Sequence, residues 1–376
     1  MKTRIAMLAE TALPRPYDRS RPLKIVEAEL SPPGPGELSV RIAAAGLCHS
    51  DLSVIDGNRP RALPLALGHE AAGVVEAVGP HVTRFAPGDH VVLIFAPSCG
   101  HCLPCAEGRP ALCEPAAVAA GQGSLITGTH HISHEGHRVD HHIGVSAFSD
   151  RVVVAEGSCV KIDPAIPLDR AAVLGCAVLT GVGAVLNTGN LRAGQSVAII
   201  GLGGVGLAAL LGAVAGGARR VIAVDLSPEK RALALDLGAT EAIDPTAPGA
   251  AEDLRRATGG GVDLAVELAG AVPALTFAYD ITRRGGTTVT AGLPHPQAEL
   301  KIPAVSLTVG EKALKGSYMG SCVPMRDIPR FAEMMMRGQL PVEKLVTHRL
   351  TLDEINEGFE RLAAGQAVRQ LVIFDA

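Results

Sequence analysis

The sequence predicts an α/β chain in which a β-rich domain is followed by a doubly wound parallel sheet. Three observations predict it. Short period-two strands punctuated by Gly and Pro fill the early chain, short wholly apolar runs alternate with helical stretches later, and a glycine-rich turn joins the first such run to an apolar helix. A chain of 376 residues also exceeds one ordinary core, so two domains are expected.

Taken in order, Leu38, Val40 and Ile42 alternate with polar or small residues, the signal of a half-buried strand. Residues 73–78 and 90–94 are further short strands, and Ser31-Pro32-Pro33-Gly34-Pro35-Gly36 is turn chemistry. After about Thr180 the pattern changes. Residues 197–200 suit a buried parallel strand and residues 221–224 a second. Ser227-Pro228-Glu229 supplies an N-cap, a first-turn Pro and an acid at a helix start, and Gly238 stands where that helix should end. Residues 262–267, 287–290 and 314–317 continue the strands of a doubly wound domain. The tail holds a helix around 331–336 and a last strand near 371–374.

Composition excludes several classes of function. With 47% apolar and 19% charged residues the chain is globular, and a net charge of −4 without a Lys/Arg cluster argues against nucleic acid as a partner. No long apolar run opens the chain, so no signal peptide is expected. Residues 196–218 carry no charge and have the length of a membrane span, but seven glycines interrupt them. A strand, a glycine turn and a buried helix explain the stretch better, and the expected location is cytoplasmic. Eight cysteines, half of them clustered, then point to metal more than to disulfides.

Gly201-Leu202-Gly203-Gly204-Val205-Gly206 fits G-x-G-x-x-G between an apolar strand and a helix, with Asp225 about 20 residues on at the end of the next strand. Gly201 permits the tight turn, Gly203 lets a pyrophosphate approach the backbone, and Gly206 lets helix and strand pack closely. The helix N-terminus supplies amide donors. Asp225 would accept from ribose hydroxyls and repel a 2′-phosphate, and Leu226-Ser227 follow it with no Arg, so NAD is expected in place of NADP.

Cys99, Cys102, Cys105 and Cys113 form C-x2-C-x2-C-x7-C, a closed four-thiolate pattern for structural zinc. Cys48, His69 and Cys176 lie in three separate segments, each unpersuasive alone. Together they make two thiolates and one imidazole with a fourth position left open, the pattern of a catalytic zinc.

With these residues in view, the chain resembles a zinc-containing member of the medium-chain dehydrogenase/reductase family, the group of liver-type and many bacterial alcohol dehydrogenases. The resemblance runs from Pro35-Gly36-Glu37 through Gly68-His69-Glu70-Ala71-Ala72-Gly73, the cysteine lobe and the glycine fingerprint to Ile355-Asn356-Glu357-Gly358-Phe359. It implies a GroES-like catalytic domain over 1–178, a Rossmann NAD-binding domain over 179–320, and a return to the catalytic domain over 321–376. It implies two zinc ions per subunit, the catalytic one on Cys48, His69 and Cys176. Glu70 resembles a nearby acid, Asp51 the carboxylate that orients the ligand imidazole, and Ser50 the hydroxyl that begins a proton relay. Lys230 and Arg369 match basic positions that touch the cofactor, and His49 stands where an Arg beside pyrophosphate is often found. Phe95, His142, Ile143, Leu293 and Tyr318 match an apolar substrate pocket suited to a medium primary or an aryl alcohol. A homodimer or homotetramer is implied as well.

The chain departs from the liver-type pattern in two places. Ser53 stands where that relay ends in a His, and a serine is a poor terminal base. His130, His131, His134, His137, His141 and His142 form a histidine-rich tract, expected to be an exposed polar loop whose last residues approach the substrate. Cys159 and Cys322 are expected in packing. A rival within the family is a formaldehyde dehydrogenase acting on S-(hydroxymethyl)glutathione or a mycothiol analogue, but Ala116-Ala117-Val118-Ala119-Ala120 offer no Arg anchor after Cys113. A non-catalytic zinc- and nucleotide-binding protein would not need Ser50.

Overall fold

The computed structural model describes residues 1–374. The chain divides into two units, one made of Met1–Cys176, Val323–Met336 and the chain from Val342 on, the other of Ala177–Cys322 with Arg337–Pro341.

The first unit holds a closed five-stranded barrel and a seven-stranded sheet. The barrel takes Lys2–Leu8, Leu23–Leu30, Leu65–Ala66, Ile132–His134 and His137–His141. In the sheet, Glu37–Gly46 is central. It pairs antiparallel with Ala71–Val78, Arg151–Ala155 and the late strand Arg369–Ile373, in which Leu371 faces Gly46 and Val372 faces Ala45. Those neighbours correct the half-buried expectation for this strand. Leu38, Val40 and Ile42 are buried, and so are Glu37 and Ser39 on the alternate face. The core beneath includes Leu47, Ile55, Phe148 and Phe359, the two Phe rings meeting edge to face at 5.9 Å. The tail helix begins earlier than expected, at Pro324–Met336, with Asp327 accepting from the Val323 N–H at its start.

The histidine-rich tract is a second correction. It folds into the hairpin Ile132–His134/His137–His141, and only its tip is exposed. His131, His141 and His142 are buried, His141 ending the second strand of the hairpin and the other two flanking it. His131 Nε2 lies 2.8 Å from Glu37 Oε2, its Nδ1 meets Ser31 Oγ at 2.7 Å, and its backbone N–H donates to His141 Nε2 at 3.2 Å. Burial pushes Glu37 up, but His131, Thr129, Thr127 and the Gly34 N–H outweigh it and hold the carboxyl at about 2. Burial, reinforced by the neighbouring His131, lowers His141 to about 3.

The second unit is a six-stranded parallel sheet in the order Glu241–Ile243, Arg220–Val224, Ser196–Ile200, Val262–Glu267, Thr282–Thr290, Ala313–Gly316. In chain order these are strands three, two, one, four, five and six, so the order reverses beside Ser196–Ile200 and creates the crevice where doubly wound sheets bind ligands. Residues 196–218 resolve into that strand, a turn and the buried helix Gly204–Ala215. Among the described residues no single helix is long and apolar enough to cross a membrane. The Ser227 side chain accepts from the Lys230 N–H to start helix Pro228–Asp236, as its capping sequence predicts. Cys159 and Cys322 are buried within the first and second units respectively.

Candidate active site and metal centres

Strand Glu37–Gly46 delivers Leu47 and then Cys48, which caps the short helix His49–Ile55 in extended backbone. One turn therefore presents the Cys48 sulfur, the Ser50 hydroxyl and the Asp51 carboxylate together. His69 and Glu70 immediately precede strand Ala71–Val78, and Cys176 follows the turn Ala172–Gly175. The three segments converge. The ligand atoms of Cys48, His69 and Cys176 lie within 4.8 Å of one another. His69 Nε2 is 3.5 Å from Cys176 Sγ and 3.3 Å from Ser50 Oγ, and that hydroxyl donates to Cys48 Sγ at 3.1 Å.

The opposite face of the imidazole is fixed. Asp51 Oδ1 lies 3.1 Å from His69 Nδ1 and also accepts from the Gly68 N–H at 3.2 Å, with both side chains buried. A carboxylate on Nδ1 sets that nitrogen as the donor and leaves the Nε2 lone pair for a cation held with the two sulfurs, the arrangement a metal-bound histidine needs.

The electrostatics fit a dication. A hydrogen bond from Cys176 holds Cys48 well below the usual thiol range, against burial and with His69 beside it. The same bond, together with burial, pushes Cys176 well above that range. Burial disfavours a charged His69, yet Asp51 and Cys48 outweigh it and lift the imidazole well above its ordinary value. Protons thus stand between groups that a divalent cation would bind directly, and two thiolates with an imidazole are a zinc donor set. Behind it, Glu70 Oε2 meets the buried Arg369 guanidinium at 2.9 Å, and Arg369 also donates to the Leu47 carbonyl at 2.8 Å.

The lobe supplies the second set. The sulfurs of Cys99, Cys102, Cys105 and Cys113 lie within 4.8 Å of one another. Backbone N–H groups already serve them, Cys102 donating to Cys99 Sγ and Cys99 to Cys113 Sγ, each at 3.3 Å. The His101 N–H and, against burial, that of Cys102 bring Cys99 down to about 6, while burial pushes Cys105 up to about 12. Four protein sulfurs complete a tetrahedron and leave no position for substrate.

In the second unit the glycine turn follows strand Ser196–Ile200 at the reversal of strand order. Gly201 takes φ +92°, which favours glycine, and a Cβ on Gly206 would sit 1.8 Å from the Gly201 carbonyl oxygen. Gly203 differs, since a Cβ there meets no protein atom within 4 Å. Gly204 and Val205 open helix Gly204–Ala215, whose first amides face the turn. Asp225 accepts from the Leu202 N–H at 2.7 Å and the Ser227 N–H at 2.9 Å.

Comparison with known proteins agrees with this chemistry. Residues 34–164 match the alcohol dehydrogenase GroES-like domain family, and residues 204–337 match the zinc-binding dehydrogenase family. A provisionally named alcohol dehydrogenase D of Mycobacterium tuberculosis is 39% identical over 376 residues, covering 99% of this chain and 100% of the relative. The chain belongs to the zinc-containing medium-chain dehydrogenase family. The fold of an alcohol dehydrogenase zinc-binding domain protein from Burkholderia ambifaria superposes with a TM-score of 0.94 at 34% identity, and that of benzyl alcohol dehydrogenase from Acinetobacter calcoaceticus with 0.93 at 30%, each covering 100% of both chains. Zinc-dependent alcohol dehydrogenase-type chemistry is therefore this family member's class of function.

The remaining site residues of this medium-chain dehydrogenase are distributed as follows. His49 is exposed on its helix, and Lys230 is half-buried on helix Pro228–Asp236. Arg369, matched by sequence to a cofactor contact, has its guanidinium buried against Glu70 and Leu47. Phe95 meets His69 edge to face at 5.4 Å, His142 does so at 5.8 Å, and Ile143 holds φ +43°, an unusual backbone for a β-branched residue. In the second unit Leu293 and Tyr318 are exposed. Arg231 escaped the sequence reading. It donates to the carbonyls of Asp225 and Leu226 and pairs with Asp244, fixing the loop after Asp225. No local motif announces that role, because the arginine sits on an ordinary helix.

Proposed function

We propose that the protein is an NAD-linked alcohol dehydrogenase that interconverts a primary or aryl alcohol and its aldehyde, using two zinc ions per subunit. The observation that carries this reading is Ser50 Oγ lying against both Cys48 Sγ and His69 Nε2, a hydroxyl placed within the ligand set to relay a proton. When bound, a zinc on Cys48, His69 and Cys176 supplies Lewis acidity toward the alcohol oxygen, and NAD supplies the hydride acceptor. Ser50 takes the alcohol proton as it releases its own to solvent water, since Ser53 offers no terminal base. Asp51 keeps His69 in one tautomer, and Phe95 covers the edge of that imidazole with an apolar ring that suits an apolar substrate.

Asp225 supports NAD over NADP, since its carboxylate retains lone pairs for ribose hydroxyls and would repel a 2′-phosphate. Arg231, whose guanidinium reaches the Asp225 carbonyl, is already bound to backbone and Asp244. The thiolates needed at both zinc sites suit a reducing cytoplasm. The outer strand Ala313–Gly316 and the exposed Val305 and Val309 of helix Ala304–Gly310 support a homodimer or homotetramer.

Initial rates of NADH and NADPH formation across aliphatic alcohols, benzylic alcohols, and formaldehyde with glutathione or mycothiol test the reading. Primary or benzylic alcohols with NAD should give the highest kcat/KM. Turnover confined to the thiol adduct, or to NADP, would overturn it.

A further inference from the structure

The Asp51 carboxylate has a neighbour that no ligand segment provides. His142 lies just past the barrel strand His137–His141, and its Nε2 sits 3.4 Å from Asp51 Oδ1. The same oxygen faces His69 Nδ1 at 3.1 Å and the Gly68 N–H at 3.2 Å. His142 is buried and its ring meets that of His69 edge to face. Its backbone is held on the barrel, the N–H pointing to Ser146 Oγ at 3.1 Å and the Ala66 carbonyl at 3.3 Å. Among the described residues neither ring nitrogen of His142 makes a hydrogen bond, and its polar approach is the 3.4 Å from Nε2 to Asp51 Oδ1.

We infer that His142 is a positioning residue for the zinc ligand His69, acting through the Asp51 oxygen that the two imidazoles share. The inference rests on the zinc site proposed above. A carboxylate that serves a single histidine can swing about its own side-chain torsions. Two donors converge on this oxygen, from the ligand imidazole and the Gly68 backbone, and the buried His142 ring on the barrel closes a further side of it at 3.4 Å, which restricts that swing. Through this approach and its edge contact with the His69 ring, the His142 imidazole ties the barrel to the orientation of the metal-binding imidazole. Groups that orient a ligand imidazole in this way affect metal affinity about 10- to 100-fold.

The test uses the full chain loaded with Co(II) in place of zinc, read by its thiolate charge-transfer and d–d bands and by the rate of metal loss to EDTA. The Cys48→Ser variant identifies which release phase belongs to this site. His142→Phe keeps a ring and removes both nitrogens. It should speed that phase about 10-fold and alter the d–d bands, whereas His142→Gln, which carries an N–H near the Nε2 position, should restore most of the wild-type rate. In an Asp51→Asn background, His142→Phe should add little, because the effect passes through that carboxylate. Unchanged release and bands in a folded His142→Phe, alongside a clear effect of Asp51→Asn, would overturn the role of His142 and leave the zinc site standing. Absence of any Cys48-dependent cobalt bands in the wild-type chain would overturn the zinc reading itself. If His142→Phe does not fold, His142→Gln against the shorter His142→Asn decides, and equal release rates from the two would refute the inference.

Discussion

Gly203 separates a binding role from a folding role more cleanly than any other position in the nucleotide turn. Its backbone, φ −73° and ψ −172°, is extended and open to any L-residue, and an added methyl group meets no protein atom within 4 Å. Replacing it with Ala gains about 0.4–1 kcal/mol by restricting the unfolded chain. Glycine's advantage over alanine at an N-cap offsets a similar amount. The cofactor-free protein should therefore keep its thermal midpoint within a few degrees. The methyl would stand in the space a pyrophosphate needs, and overpacking of that kind costs about 1–3 kcal/mol. NADH affinity of Gly203→Ala, measured by fluorescence titration, should weaken about 5- to 150-fold. Gly206→Ala is the contrasting variant. Its Cβ would lie 1.8 Å from the Gly201 carbonyl oxygen, so the turn itself must move and stability should fall with affinity. A well-folded Gly203→Ala that binds NADH as tightly as the wild type would refute the assignment of this turn to the pyrophosphate.

Two further outcomes follow from the same geometry. Glu37 is held at about 2, below its ordinary value of 4.5, so its contribution is complete above pH 4.5 and disappears as pH falls toward 2. The stability gap between wild type and Glu37→Gln should shrink by about 3 kcal/mol across that window in urea denaturation, and a gap independent of pH would contradict the buried-network account. The cysteine lobe exposes Leu103 at 68% and Leu112 at 39%, so it has little apolar core of its own, and a zinc bound there would supply its order. Cys113→Ser should lower zinc from two to one per chain and open residues 99–113 to limited proteolysis, and retention of two zinc ions would exclude a structural site there.

Much of the fold was legible because its signals are local. Apolar runs such as 197–200 and 221–224 mark buried parallel strands, and Ser227-Pro228 marks a helix start without reference to distant residues. The lobe was legible for the same reason, its four sulfurs falling within one short segment. The catalytic set required three segments to be combined, on their residue types and on the family resemblance. What the sequence hid is long-range. Nothing local says that Glu70 meets Arg369, that His131 meets Glu37, or that His142 reaches Asp51. The histidine tract was misjudged because polar residues near a Glu-Gly turn imitate a surface loop, while barrel closure buries half of them.

The late strand Arg369–Ile373 pairs with Glu37–Gly46, and Arg369 anchors Glu70 beside the metal ligands. During synthesis the nucleotide-binding segment is therefore complete on the ribosome while the unit encoded first still lacks an interior strand and the guanidinium behind its metal pocket. Vectorial folding is inverted here: the middle of the message can mature before its beginning.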